Sequence, residues 1–102
     1  MAITNTKISK TVQSVYTSIG ENAIVVAYFC NTSTDTVNFS VRAVGRGKNV
    51  LSDNLIYSNV SLTPNDTYVM DTEKLILGDG DALWAEATEN NAIVVTIFDV
   101  EV

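Results

Sequence analysis

Runs rich in Val, Ile, Thr, Tyr and Phe alternate along this chain with clusters of turn-forming residues. The clusters are Gly20-Glu21-Asn22, Asn31-Thr32-Ser33-Thr34-Asp35, Gly45-Arg46-Gly47-Lys48-Asn49, Pro64-Asn65-Asp66, Gly78-Asp79-Gly80-Asp81 and Glu89-Asn90-Asn91. β-Branched and aromatic side chains suit a pleated, half-buried surface, whereas Gly, Pro, Asn and Asp supply the backbone angles that end a strand. The cleanest two-residue period sets Val37, Phe39, Val41 and Ala43 against Asn38, Ser40 and Arg42, which predicts a strand with one wet face. No window of eleven or more residues sustains a helical period. Strands are predicted over 11–17, 23–31, 37–44, 55–57 continuing through 60–62, 67–71, 74–77, 82–88 and 92–100. The expected fold is all-β, an antiparallel β-sandwich or jelly-roll-like barrel of seven to eight short strands.

Two runs break the alternation. Ala23-Ile24-Val25-Val26-Ala27-Tyr28-Phe29 and Ala92-Ile93-Val94-Val95-Thr96-Ile97-Phe98 are largely apolar on both faces. One face of each is expected to pack on the core and the other needs a cover, for which a neighbouring subunit is a candidate. The two runs share Asn-Ala-Ile-Val-Val and a later Phe, but the likeness stops after the phenylalanines, so they read as two central strands with similar packing demands and not as a repeat array. Residues 1–10 carry only Ile3 and Ile8 as large apolar side chains after Met1, and read as a flexible N-terminal arm ahead of a single sandwich domain over 11–102. Such an arm could instead add a strand to an adjacent subunit. At the other end, Phe98-Asp99-Val100-Glu101-Val102 keeps the alternation and is expected in the sheet.

A chain of 102 residues supports one core. Its longest apolar stretch, 23–30, falls far short of the ~20 residues that cross a bilayer as a helix, and its first residues lack a secretory signal pattern, so cytoplasmic synthesis and no membrane partner are expected. Twelve acidic residues against six basic give a net charge of −6, which repels phosphate backbones and predicts no nucleic-acid partner. The chain has no histidine, which removes Ser-His and Cys-His dyads and weighs against an enzyme; no motif calls for a cofactor. Cys30 stands alone, and its neighbours Tyr28 and Phe29 predict a buried thiol.

Gly78-Asp79-Gly80-Asp81 could bring two carboxylates to one hard cation, with Asp71 or Glu73 joining, but it lacks EF-hand spacing and reads as a turn whose aspartates cap backbone amides. No metal site is therefore assigned. The acids Asp71, Glu73, Asp79, Asp81, Glu86 and Glu89 could supply a glycosidase pair, yet carboxylates on turns and strand edges more often discourage unwanted pairing. Arg42, Arg46 and Lys48 form the local basic cluster; Trp84 and Tyr28 are the aromatic candidates, Trp84 lying opposite Leu83, Ala85 and Ala87. These five are the candidate interface, by which Trp84 anchors a partner and the cations pair with its acids. Asn-x-Ser/Thr matches at Asn31, Asn38, Asn59 and Asn65 reflect Asn/Thr-rich composition.

The succession Val15-Tyr16-Thr17-Ser18, Ala23-Ile24-Val25-Val26, Cys30-Asn31-Thr32-Ser33, Thr36-Val37-Asn38-Phe39, Leu62-Thr63-Pro64-Asn65-Asp66-Thr67-Tyr68 and Glu73-Lys74-Leu75-Ile76-Leu77-Gly78-Asp79-Gly80-Asp81 resembles the small β-sandwich virion proteins of tailed, T4-like bacteriophages of marine bacteria. The resemblance implies a virion structural protein, a capsid decoration or a neck, tail or baseplate subunit. Such a protein partners other virion proteins and its own copies and carries no catalytic motif. The alternative is a carbohydrate- or receptor-binding module in which Trp84 and the tyrosines stack on sugar rings and the Asp79/Asp81 turn holds calcium.

Overall fold

The computed structural model describes residues 2–70 and 75–102, and among them nine strands form two antiparallel sheets. In chain order they are β1 (Ala2–Ile8), β2 (Gln13–Thr17), β3 (Asn22–Asn31), β4 (Val37–Val44), β5 (Leu55–Leu62), β6 (Thr67–Met70), β7 (Leu75–Leu77), β8 (Ala82–Ala87) and β9 (Ile93–Glu101). Sheet I runs β1-β9-β3-β6, with β7 also on β3; sheet II runs β2-β8-β4-β5. β6 pairs with Ala27 to Cys30 and β7 with Asn22 to Ile24, so the two share one edge position end to end. The pairs β1·β9, β2·β8, β3·β6/β7 and β4·β5 are those made when one long hairpin is folded over into two layers, which is jelly-roll order.

The sheets close on a core fed by alternate positions. Phe29 of β3 stacks on Phe39 of β4 with ring centroids 4.7 Å apart and planes 13° from parallel, and Tyr68 tilts against both at 6.4 and 5.9 Å. Tyr57 meets Tyr68 edge-on at 5.3 Å, so one aromatic cluster joins β3 and β6 of sheet I to β4 and β5 of sheet II. Each such pair adds about 0.5–1.5 kcal/mol beyond the apolar area it buries. Toward the other end, the Tyr16 hydroxyl of sheet II donates to Asp99 Oδ2 of sheet I at 2.6 Å, while Asp99 Oδ1 is buried and accepts no hydrogen bond.

β3 carries one extra residue opposite β9: Ile24 pairs with Asp99 but Val26 pairs with Phe98, leaving Val25 as a bulge. Five residues separate Ile24 from Phe29 and Ile93 from Phe98, an odd number that puts the two on opposite faces of a regular strand. In β9 that holds, with Ile93 buried and Phe98 on the outer face; in β3 the bulge resets the phase and both Ile24 and Phe29 enter the core. The shared sequence of the two central strands thus places its phenylalanines on opposite sides of one sheet.

Eight of the nine strands fall where the hydrophobic pattern predicts them, with ends shifted by one or two residues at most sites; the predicted ends at Asp71 and Lys74 lie outside the described residues. The ninth corrects the expected arm over 1–10. Ala2–Ile8 is edge strand β1, paired with β9 from Ala2↔Asp99 to Ile8↔Ile93. Its inward positions are Thr4, Thr6 and Ile8, and only Ile8, fully buried, is a strong apolar anchor. Polar composition hid a strand that is held by backbone pairing, by Ile8 and by Asn5, whose Oδ1 accepts from Thr96 Oγ1 at 2.9 Å.

Ile8→Ala is expected to cost about 2–5 kcal/mol, against the few tenths typical of an exposed arm, read as a lower urea midpoint at unchanged slope. Burial and then the hydrogen bond to Asp99 push the Tyr16 phenol up to about 12 from 10.0. The unfolded chain therefore releases this proton first, so the contribution is whole below pH 10.0 and is lost as pH rises toward about 12. Melting curves across that range should fall more steeply for the native chain than for Tyr16→Phe.

Candidate functional site

The five candidate interface residues do not form one surface. Tyr28 lies on the outer face of sheet I, in register with Thr96 and Val69. Trp84 and Arg42 are register neighbours on the outer face of sheet II. Arg46 and Lys48 sit in the loop after β4, at the end of the sandwich where β2 ends and β8 begins.

At that end the acidic turn is committed to the backbone. Asp81 Oδ1 accepts from Arg46 N at 2.9 Å and Oδ2 from Gly78 N at 2.9 Å; Asp79 Oδ1 accepts from Gly20 N at 2.8 Å and Oδ2 from Arg46 Nη1 at 3.3 Å. Gly80 takes φ 87°, which L side chains rarely adopt, and a Cβ there would meet the Arg46 side chain at 2.7 Å and displace it, so the turn favours glycine. Three loops are thereby laced into one cap, with buried Ser18 and Asn22 beneath it, Asn22 Nδ2 donating to Ser18 Oγ at 2.9 Å. Among the described residues no group of three acidic or cysteine side chains converges as a metal site would need. At the opposite end the buried Asn31 donates to Asp35 O at 2.8 Å and Leu62 O at 3.0 Å, and accepts from Ser33 N at 2.9 Å and Ser33 Oγ at 2.7 Å. The other matches to the glycosylation pattern also have structural work: Asn59 and Asn65 adopt positive φ, and Asn38 lies within β4.

The outer face of sheet II is polar and largely self-satisfied. Arg42 Nη1 meets Glu86 Oε1 at 2.5 Å and its Nε donates to Leu51 O at 3.1 Å. Trp84 is half-buried between Ser14 and Arg42, so this face absorbs its ring in part. Beside the ion pair a groove of about 220 Å³ is lined by Asn38, Ser40, Asn59, Glu86 and Thr88. Its shape comes from a bulge in β5, where Asn59 takes φ 51° and donates its backbone N–H to Ser40 Oγ at 3.0 Å.

The outer face of sheet I is the opposite in character. Its outward positions run Ile3, Asn5 and Lys7 on β1; Val94, Thr96, Phe98 and Val100 on β9; Ala23, Val26, Tyr28 and Cys30 on β3; Thr67 and Val69 on β6; Ile76 on β7. Ile3 is 60% exposed, Ile76 70%, Val69 41% and Tyr28 38%, and Tyr28 meets Phe98 edge-on at 5.9 Å near the middle of the sheet. Lys7 is the single charge among these described positions. This is the uncovered second face expected for the doubly apolar runs. Cys30, expected buried, belongs to it: the thiol is partly exposed because the Val25 bulge puts Phe29 and Asn31 inward and Cys30 outward.

Sequence reasoning located Tyr28 but not Ile3, Val69 and Ile76, which share its face only through the pairing of β1, β9, β3, β6 and β7. No helix among the described residues is long and apolar enough to cross a membrane. Searches against known proteins find no match to a protein-family model, a curated protein or a solved structure.

Asp81→Ala leaves the Arg46 and Gly78 amides without their acceptor and is expected to cost about 1–3 kcal/mol, read by urea denaturation. Because these carboxylates already serve backbone donors, millimolar calcium is expected to leave the native melting temperature unchanged, measured by differential scanning fluorimetry.

Proposed function

We propose that this chain is a structural subunit of a bacteriophage virion, a capsid decoration or a neck, tail or baseplate component, that works by docking and not by catalysis. The observation that carries the reading is the apolar outer face of sheet I, which a lone chain leaves in water. Patches beyond a few hundred Å² of contiguous apolar surface mark interaction sites on soluble proteins. The resemblance of the sequence from Val15 to Asp81 to small virion sandwiches supports a phage particle as the assembly, and a jelly roll whose loops are laced into rigid caps suits a part that transmits load. In mechanism, each copy contributes a modest apolar contact, and repetition over a symmetric particle multiplies it against internal pressure or shear.

The groove at Asn38, Ser40, Asn59, Glu86 and Thr88 favours a second reading, a carbohydrate-binding module. Amide, hydroxyl and carboxylate groups on one wall can exchange hydrogen bonds with sugar hydroxyls, and Trp84 stands two residues along β8 from Glu86. The calcium-dependent form of this reading loses support, since Asp79 and Asp81 are occupied by backbone amides.

Quantitative mass spectrometry of purified particles tests the first reading. Hundreds of copies per particle are expected of a capsid decoration protein and a few to a few dozen of a neck, tail or baseplate subunit. Absence from particles, with a glycan-array signal that Asn59→Ala removes, would replace it with the second.

A further inference from the structure

The outer face of sheet I has a regular relief across its two central strands. Four cross-strand rows at its centre each set a larger side chain beside a smaller one: Phe98 with Val26, Tyr28 with Thr96, Val100 with Ala23, and Val94 with Cys30. The larger member lies on β9 in three rows and on β3 in the Tyr28 row. At one corner stands Lys7 on β1; its row continues through Val94 and Cys30 to Thr67 on β6, beyond which lies the exposed Asp66 at the opposite corner.

We propose that two copies associate face to face through sheet I about a two-fold axis that runs along the strands between β9 and β3. This rests on the assembly reading above and names the partner of the same face. Such an axis lays β9 of each copy over β3 of the other. Phe98 then faces the partner's Val26 and Tyr28 faces the partner's Thr96, each contact being made twice, as an isologous interface requires. Large against small is the complementarity by which stacked sheets interdigitate at ~10 Å. The same axis lays β1 over the partner's β6, bringing Lys7 to the partner's Asp66 at two symmetric corners.

Size and charge agree with this occupant. Four strand positions at ~4.8 Å and eight residues along β3 at ~3.3 Å each give a flat footprint of roughly 500 Å². Side-chain relief raises the buried area toward the roughly 800 Å² per partner of a stable complex. The chain carries a net charge of −6, yet none of its described acidic side chains occupies an outward position of this face, so like charges are not pressed together.

Sedimentation equilibrium of the full chain over a wide concentration range, with alkylation of the native Cys30 as a local reporter, tests the proposal. The native chain should reach twice 11.0 kDa, and Cys30 labelling should slow as the dimer forms. Tyr28→Lys and Val69→Lys should weaken association at least tenfold and restore fast labelling while keeping the native far-UV spectrum. Ile56→Lys, on the exposed edge strand of sheet II, should leave association unchanged. A chain of 11.0 kDa at the highest concentration, or a dimer indifferent to Tyr28→Lys and Val69→Lys, overturns the proposal. A monomer nonetheless present in particles would overturn the second copy and spare the virion reading. A dimer through this face that is missing from particles would do the reverse.

Discussion

One extra residue in β3 decides how both sides of sheet I are used. Without the bulge at Val25, the residues that follow Ile24 would keep its phase, and Val26, Tyr28 and Cys30 would point into the sandwich while Ala27 and Phe29 pointed out. The stack of Phe29 on Phe39 at 4.7 Å, through which the sheets meet at their aromatic end, exists only in the bulged phase. So does the edge contact of Tyr28 with Phe98 on the other side. A core contact and the most apolar stretch of the surface are therefore set by the same local irregularity. The run Ala23 to Phe29 tolerates it because its residues are apolar in either phase.

The two outer faces divide the remaining roles. On sheet II, β4 and β8 pair without a register shift, so the face that does not enter the core collects Asn38, Ser40, Arg42, Trp84 and Glu86, among which Arg42 pairs with Glu86 and Ser40 accepts the Asn59 amide. Its edge strands are interrupted by bulges, at Val15 in β2 and near Asn59 in β5, which discourages open-ended addition of further strands. Sheet I has no such polar partners over most of its area. What distinguishes it energetically is water-exposed hydrocarbon, whose removal is favourable without a directed hydrogen bond.

Much of this was legible in the sequence. Two-residue periodicity and turn clusters located eight strands, and the doubly apolar runs pointed to the apolar outer face of sheet I. β1 was not legible, because an edge strand can be held by main-chain hydrogen bonds that leave no compositional trace beyond Ile8. The buried thiol was misjudged for a related reason: side-chain direction in a strand depends on phase, and a one-residue bulge reverses it without changing a letter. The candidate interface was drawn from residue types, and Tyr28, Trp84 and Arg46 turned out to lie on different surfaces because the jelly-roll wrap sends β3, β8 and the loop after β4 to different layers. Ile3, Val69 and Ile76 look unremarkable one at a time and share a face only once the five strands of sheet I are aligned.

The distribution of polar atoms sets the two ends of the sandwich apart from the outer face of sheet I. Asn31, Ser18, Asn22, Asp79 and Asp81 are polar side chains gathered at the two ends, and each is engaged in closing an end of the sandwich. A side chain that accepts backbone hydrogen bonds is held in one orientation by them, and re-aiming it costs of the order of 1–3 kcal/mol for each donor left buried and unsatisfied. Asp99 Oδ1, buried beside Tyr16 and without a hydrogen bond, lies outside the groove at Asn38 and Glu86. Apolar area on sheet I carries no such prior commitment. Its association with another surface sacrifices no internal contact, and that makes it the part of the molecule most free to act.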